Sequence, residues 1–463
     1  MNLDLFIVIL YLTVVMITGI LASSNKKVKN VKEFSLSTRK YGTFVLVATL
    51  SAAFIGGGFS TGNAAKVAQI GIGNIIALFG FSLSVILIGK FVVPKIPKLI
   101  LENNMSSTGE IMRESYGKNA QILTGFFAFM VCSGILGAQI SSISYIFNVF
   151  LGLKPVHGMI IGMISVLIST SIGGMQSVVA TEIIQFVILM IAMPVLLFIS
   201  VQKTGGVLHI ISQVPRENLD IFNKLGPLGL ISLFISFAMG ESMVPPYVQR
   251  LLMGTDLKTT SKATVLSGIL SIPFFVITGL VGLVGLVYFQ GQQINTNSIM
   301  QSMINAVAPP GIRGILIAGT LSIVMSSASS FLNSASVELT NNVLEPIFGQ
   351  NPQKSVLIAR IINILTGVVA SVFAITVPNV LDILVYSYSF WSPVVLVPLI
   401  FALLGKKSTP QAFYASMFAG VFSVLACSFW GNSTKSYSEI IGILANLIVF
   451  CTVNKLQKKS KYL

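Results

Sequence analysis

Residues 52–63 read AAFIGGGFSTGN, and residues 237–250 read FAMGESMVPPYVQR. Each stretch lies inside an apolar run long enough to cross a bilayer, which takes about 20 residues per helix. Three consecutive glycines cost a helix about 1 kcal/mol apiece relative to alanine. Pro245 and Pro246 remove two backbone N–H donors. Both stretches therefore predict spans that break near mid-membrane. If one five-helix unit starts at Tyr41 and another at Gly226, the breaks at Gly57 and Glu241 fall 16 and 15 residues into them (57 − 41 and 241 − 226). Five is odd, so the two units have opposite topology. Paired breaks in inverted repeats point to a binding site at the midplane.

The rest of the chain agrees. Of its 463 residues 54% are hydrophobic and only 9% charged, with a mean hydropathy of +0.88. Soluble domains carry roughly 25% charge. Hydropathy gives about thirteen spans, the first centred on Leu10 and the last on Leu447. The expectation is an all-α polytopic membrane protein divided into residues 1–40 (a first helix and an inner loop), 41–201 (first repeat), 202–225 (an outer loop), 226–404 (second repeat) and 405–463 (two helices and a basic tail). Residues 1–22 begin with Asp4 rather than a positive segment, so they read as an uncleaved helix and not a secretory signal.

The net charge of +15 does not imply a nucleic-acid partner, because no stretch of soluble length presents a basic face. With the N-terminus outside and the C-terminus inside, 22 Lys and Arg residues fall in inner segments, Lys26, Lys27, Arg250, Lys354 and Lys455 among them. Six fall outside, and Lys66 lies within a span. That is the positive-inside pattern. It suits a bacterial cytoplasmic membrane, with lipid as the surrounding partner and no obligate protein partner indicated. Cys132, Cys427 and Cys451, with His157 and His209, form no metal or catalytic constellation, so an enzyme is not expected.

Intramembrane charges are functional candidates by default. Glu241, at the second break, is suited to a cationic or amine group. Lys66 either meets a carboxylate or snorkels outward. Residues 321–336, LSIVMSSASSFLNSAS, carry seven serines. Ile323, Ser326 and Ser327 share a helical face, which suits a hard cation that accepts neutral oxygen ligands. Ser322, Ser329 and Ser336 read as packing or back-bonding residues.

Five segments, GGGFSTGN (56–63), GFSLSVILIGKF (80–91), SIGGMQSVVATEIIQF (171–186), PPYVQRLL (245–252) and IVMSSASSFLNSAS (323–336), together resemble the sodium:solute symporter family across residues 41–404. The high-affinity choline transporters are the nearest-looking branch. The resemblance implies a LeuT-like five-plus-five inverted repeat and a Na⁺-coupled symporter importing a small organic solute, amine-containing or zwitterionic, by alternating access. Carried over, the sodium ligands are the Ser326 and Ser327 hydroxyls with the carbonyls of Ala52, Ile55 and Ile323. Glu182 matches a position that helps sodium leave inward, or else is a solvated interfacial carboxylate. Phe54, Gly58, Phe59, Phe81, Gln139, Ser242 and Val244 line the solute cavity, joined by Glu241. Tyr386, Tyr388, Ser389 and Trp391 face it from the eleventh span, or else pack between helices. In the choline branch tryptophans enclose the ammonium group, whereas Trp391 and Trp430 here lie elsewhere. A quaternary-amine carrier is the alternative, as are a proton-coupled carrier and a non-transporting receptor on the same fold.

Overall fold

The computed structural model describes residues 3–24, 41–103, 105–171, 174–222, 224–349, 352–377, 379–389, 391–429 and 437–460. The basic residues Lys26, Lys27, Lys29, Lys32, Arg39 and Lys40, together with Trp430, Lys435 and Lys461, lie outside them, as do the side chains of Lys354, Lys458 and Lys459.

The described residues are helical throughout, apart from one isolated bridge between Tyr41 and Gly254. Among the described residues ten helices are long and apolar enough to cross a membrane. Two bent pairs and the shorter Pro155–Ser171 complete the thirteen expected segments. In chain order the spans are Leu3–Ser24; the bent pair Thr43–Phe54 and Gly58–Ile70; Gly73–Lys95; Lys118–Leu151; Pro155–Ser171; Gly174–Lys203; the bent pair Gly226–Gly240 and Pro245–Leu251; Leu257–Tyr288; Ile312–Phe348; Pro352–Thr376; Val380–Leu403; Pro410–Phe429; and Ser438–Ser460. The bends of 63° and 53° fall in the second and seventh spans, where the glycine and proline runs place them.

Burial orders these spans around a centre. The most apolar window of the ninth span is 94% buried and that of the first only 17%. The serine-rich ninth span is thus the axle of the bundle, while the first helix turns most of its surface outward. The first helix is nevertheless anchored. Asp4 accepts hydrogen bonds from the N–H groups of Gly311 (2.7 Å) and Gly314 (3.0 Å) and from Arg313 Nε (2.7 Å). It caps the start of the ninth span, whose first N–H groups have no partner within the helix.

A third interruption lies in the eleventh span. Helix Val380–Tyr388 stops, and a π-helical turn over Ser392–Leu396 leads into Val397–Leu403. Pro393 at the start of that turn cannot donate a backbone hydrogen bond. Asn446, on the thirteenth span, donates through Nδ2 to the carbonyls of Pro393 (2.8 Å) and Val394 (3.2 Å).

Candidate functional site

The second span breaks because its glycines must let other helices in. A Cβ on Gly57 would lie 2.1 Å from Ser142 Oγ, and one on Gly58 would lie 2.1 Å from Leu384 Cδ1. On Gly56 it would meet the Gln139 amide at 2.7 Å and Ser327 Oγ at 2.8 Å. Gln139 stands in for part of the lost helical bonding by accepting from Gly57 N–H at 2.6 Å.

The opened turn frees a carbonyl, and the ninth span meets it. Ser326 Oγ donates to Ala52 O at 2.8 Å, with Ile323 O also within reach at 2.9 Å, and Ser327 Oγ donates to Ala52 O at 3.1 Å. Ile55 closes the same turn and is fully buried. Four of the five residues expected to bind sodium are thus joined through oxygen atoms, with Ile55 beside them on the break. Carbonyl and hydroxyl oxygens are the neutral, hard donors such an ion accepts. Ser322 and Ser336 bond back to Ala318 and Asn333 (2.8 and 2.9 Å).

One turn along the ninth span is a cluster only partly visible in the sequence. Glu182 and Arg250 are both fully buried and form an ion pair at 2.6 Å. Arg250 also donates from Nε to Thr49 O and Oγ1 (3.1 and 2.9 Å), and from its terminal nitrogens to Pro246 O (2.8 Å) and Ser330 Oγ (2.6 Å). Thr49 and Ser330 donate to the two Glu182 oxygens as well. The solvated alternative for Glu182 is therefore set aside. Arg250, counted above as an inner-loop charge, is corrected to an interior residue; its partner stands 68 positions away, beyond the view of any local pattern. The inner count drops from 22 to 21 and keeps its bias. Charges this deep are tolerated only with complete pairing, which five oxygen partners supply.

The solute candidates fall into two neighbouring groups. Phe54, Phe59 and Phe81 form one aromatic cluster, with Phe54–Phe81 and Phe59–Phe81 centroids 5.2 and 5.0 Å apart. Tyr247, Phe237 and Phe275 extend it. Val244, 1% exposed, precedes the helix carrying Tyr247. The polar group forms at the second break. Tyr388 donates its hydroxyl to Glu241 Oε2 at 2.8 Å, and Trp391 Nε1 donates to Ser242 O at 3.1 Å. Ser84 and Ser242 hydroxyls also bond. A Cβ on Gly240 would sit 2.2 Å from the Tyr388 ring. Met243 adopts φ 57°, a left-handed conformation uncommon outside glycine. Such strain persists where the surroundings over-determine it, often at a site. Tyr388 and Trp391 thus join the candidates, whereas Tyr386 is 46% exposed.

Lys66 does not snorkel. It pairs with Asp382 on the eleventh span at 2.8 Å, and Asn379 donates to the other Asp382 oxygen at 3.0 Å.

Comparison with known proteins gives a consistent picture. A family model described as the sodium:solute symporter family matches residues 34–420. The high-affinity proline transporter PutP of Bacillus subtilis is 25% identical over 448 residues, which span 91% of this chain and 92% of that one. A sodium/proline symporter of Staphylococcus aureus is 24% identical over 466 residues, 93% and 88% of the two chains. These relatives are proline carriers, where the motifs had pointed toward the choline branch. Among solved structures, a Na⁺-coupled sialic acid symporter in a substrate-bound outward-open state superposes with a TM-score of 0.82 at 18% identity, over 98% of both chains. MhsT in complex with L-phenylalanine superposes with a TM-score of 0.55 at 15% identity, over 89% of this chain and 99% of that one.

Proposed function

The chain belongs to the sodium:solute symporter family, and from that premise we propose that it imports a small amino-group-bearing solute together with Na⁺, with L-proline as the first candidate. Membership makes it an integral membrane transporter of the LeuT-like five-plus-five architecture rather than an enzyme, with Na⁺ as the coupling ion. The observation that carries the proposal is the convergence of Ser326 and Ser327 on the Ala52 carbonyl at the second-span break. An ion there, completed by the carbonyls of Ile55 and Ile323, would join the second and ninth spans. Na⁺ drives transport only if it binds two states of the carrier unequally. A site split between two moving elements meets that requirement.

For the solute, the aromatic group offers contact to an apolar ring, and Glu241 with Tyr388 offers a carboxylate and a hydroxyl to an ammonium. Proline presents both features, and the proline-transporting relatives support it. A quaternary amine has no N–H to donate to Glu241, and no tryptophan stands at Phe54 or Val244 to enclose it. The corrected basic-residue count supports an N-terminus outside and a C-terminus inside, in a bacterial cytoplasmic membrane. In that orientation Glu182 lies on the inner side of the sodium site, and its cluster would be the step through which sodium leaves.

The test is thermal unfolding of the purified protein in Na⁺ against K⁺ at equal ionic strength, with L-proline, other amino acids, betaine and choline. A ligand at 100 times its dissociation constant stabilises by about 2.7 kcal/mol. The expected result is a Na⁺-specific shift, enlarged by proline only when Na⁺ is present. Equal behaviour in Na⁺ and K⁺ would overturn the assignment of the sodium site.

A further inference from the structure

The thirteenth span lies outside the two five-helix units, yet it places a carboxyl against two interruptions of the second unit, those of the seventh and eleventh spans. Glu439, in the first turn of Ser438–Ser460, is 6% exposed. Ser236, just before the seventh-span break, donates to its Oε2. Ser392, at the eleventh-span break, is 2.9 Å from its Oε1 and 3.2 Å from the Tyr388 carbonyl. Tyr388 in turn holds Glu241. A chain of contacts thus runs Ser236–Glu439–Ser392–Tyr388–Glu241, entering Tyr388 at its carbonyl and leaving by its hydroxyl, and carries two buried carboxyl groups.

We propose that Glu439 is a proton-binding site which fixes the eleventh-span break, so that the solute site responds to pH as well as to Na⁺. The first reason is the absence of a counter-charge. Among the described residues no Lys, Arg or His pairs with Glu439 or Glu241. On the elements packed around them, the charged and titratable groups among the described residues are Tyr388 itself, Tyr386, Tyr247, Tyr414, Tyr437, Cys427, Cys451, Asp382 bound to Lys66, and Arg250 bound to Glu182. Lys455 stands sixteen residues away at the other end of the thirteenth span. A buried carboxylate without a cation is costly enough that such a group takes up a proton instead.

The second reason is hydrogen-bond arithmetic at Ser392. Its hydroxyl has one proton and two acceptors within reach. If Glu439 carries a proton on Oε1, the carboxyl donates to Ser392 Oγ and Ser392 donates to the Tyr388 carbonyl, so every group on the path is used. If Glu439 is ionised, Ser392 turns its proton to the carboxylate and that link to the Tyr388 carbonyl is lost. The Ser392–Glu439 tie to the thirteenth span persists in either state; the proton decides whether the eleventh-span break is also closed within itself by the Ser392–Tyr388 bond. The exchange is with water; no covalent bond other than the O–H forms or breaks.

The experiment is infrared difference spectroscopy of the purified full-length protein during a pH titration in Na⁺, with Glu439→Gln, Glu241→Gln and Ser392→Ala. At neutral pH the wild type should show a protonated-carboxyl absorption with one component that is lost in E439Q, retained in E241Q, moved in frequency by S392A, and abolished at alkaline pH. An E439Q spectrum identical to wild type at every pH overturns the proposal, and so does an S392A band that has not moved. The same samples give the Na⁺-dependent thermal shift, which should vary with pH in wild type and be flat in E439Q. If the protein shows no Na⁺ shift at all, the sodium reading fails while the infrared result still decides the proton site.

Discussion

Ser326 and Ser336 are both buried serines on one helix, and their hydrogen bonds separate their roles. Ser326 reaches across to the carbonyl of another broken span, whereas Ser336 bonds back to Asn333 within its own. Ser326→Ala should therefore weaken Na⁺ by at least tenfold, about 1.4 kcal/mol, while Ser336→Ala leaves the Na⁺-dependent thermal shift unchanged. Equal loss in both variants would count against the assignment. The i, i+3, i+4 spacing made this serine face legible in the sequence, because helical periodicity is local. Arg250 was not legible. Its meaning depends on Glu182, Thr49 and Ser330, all brought in from other helices. Removing either charge of that pair leaves the other buried and alone, at a cost of about 3–5 kcal/mol. Glu182→Met or Arg250→Met alone should accordingly lower stability far more than the double substitution does. Denaturation of the three variants in detergent reads the difference, and additive losses would show that the pair does not act as a unit.

At the scale of elements, the two breaks were predictable because glycine and proline act on their own backbone. The partners that fill the breaks were not, since nothing near Gly57 announces Ser142 or Gln139. A methyl group at position 57 would overlap Ser142, whose Oγ and Cβ lie 2.1 and 2.5 Å from the added carbon. Overpacking of that kind costs typically 1–3 kcal/mol, and here it would push the fourth span away from the break. Gly57→Ala should abolish the Na⁺-specific shift without touching a sodium ligand, and adding Ser142→Gly should restore part of it. If the double variant is no better than the single, the overlap with Ser142 is not what excludes a side chain at position 57. The eleventh-span interruption escaped the sequence reading for a related reason. Ser387–Pro393 carries no glycine run, and its turn is held from outside by Asn446, Glu439 and the Ser242 carbonyl, which accepts from Trp391.

At the scale of the whole molecule, the candidate sites are closed by two unlike sets of contacts. Toward the expected outer side, Lys66 and Asp382 tie the second span to the eleventh, with side chains 19% and 35% exposed. Toward the expected inner side, Glu338 on the ninth span accepts from the N–H (2.9 Å) and hydroxyl (2.7 Å) of Thr108, capping the helix Thr108–Tyr116 that precedes the fourth span. Asn342 adds a hydrogen bond to Glu338 at 2.6 Å and one to Ser107 at 3.0 Å. A partly exposed ion pair is worth about 1 kcal/mol at most, whereas a buried carboxylate bonded to backbone N–H and hydroxyl groups holds more firmly. The outer contacts are therefore the easier to open. Asp382→Asn should raise hydrogen exchange in Gly58–Ile70 and Val380–Tyr388 by up to about fivefold, the population ratio that 1 kcal/mol allows, and leave Thr108–Tyr116 protected. Glu338→Gln should do the reverse, loosening Thr108–Tyr116 and sparing the outer halves. Since the two sides belong to one equilibrium, Na⁺ should suppress the change in one variant and enhance it in the other. Exchange that rises on the same side in both variants would mean that the two sets of contacts do not oppose one another, and that alternating access in this protein is controlled elsewhere.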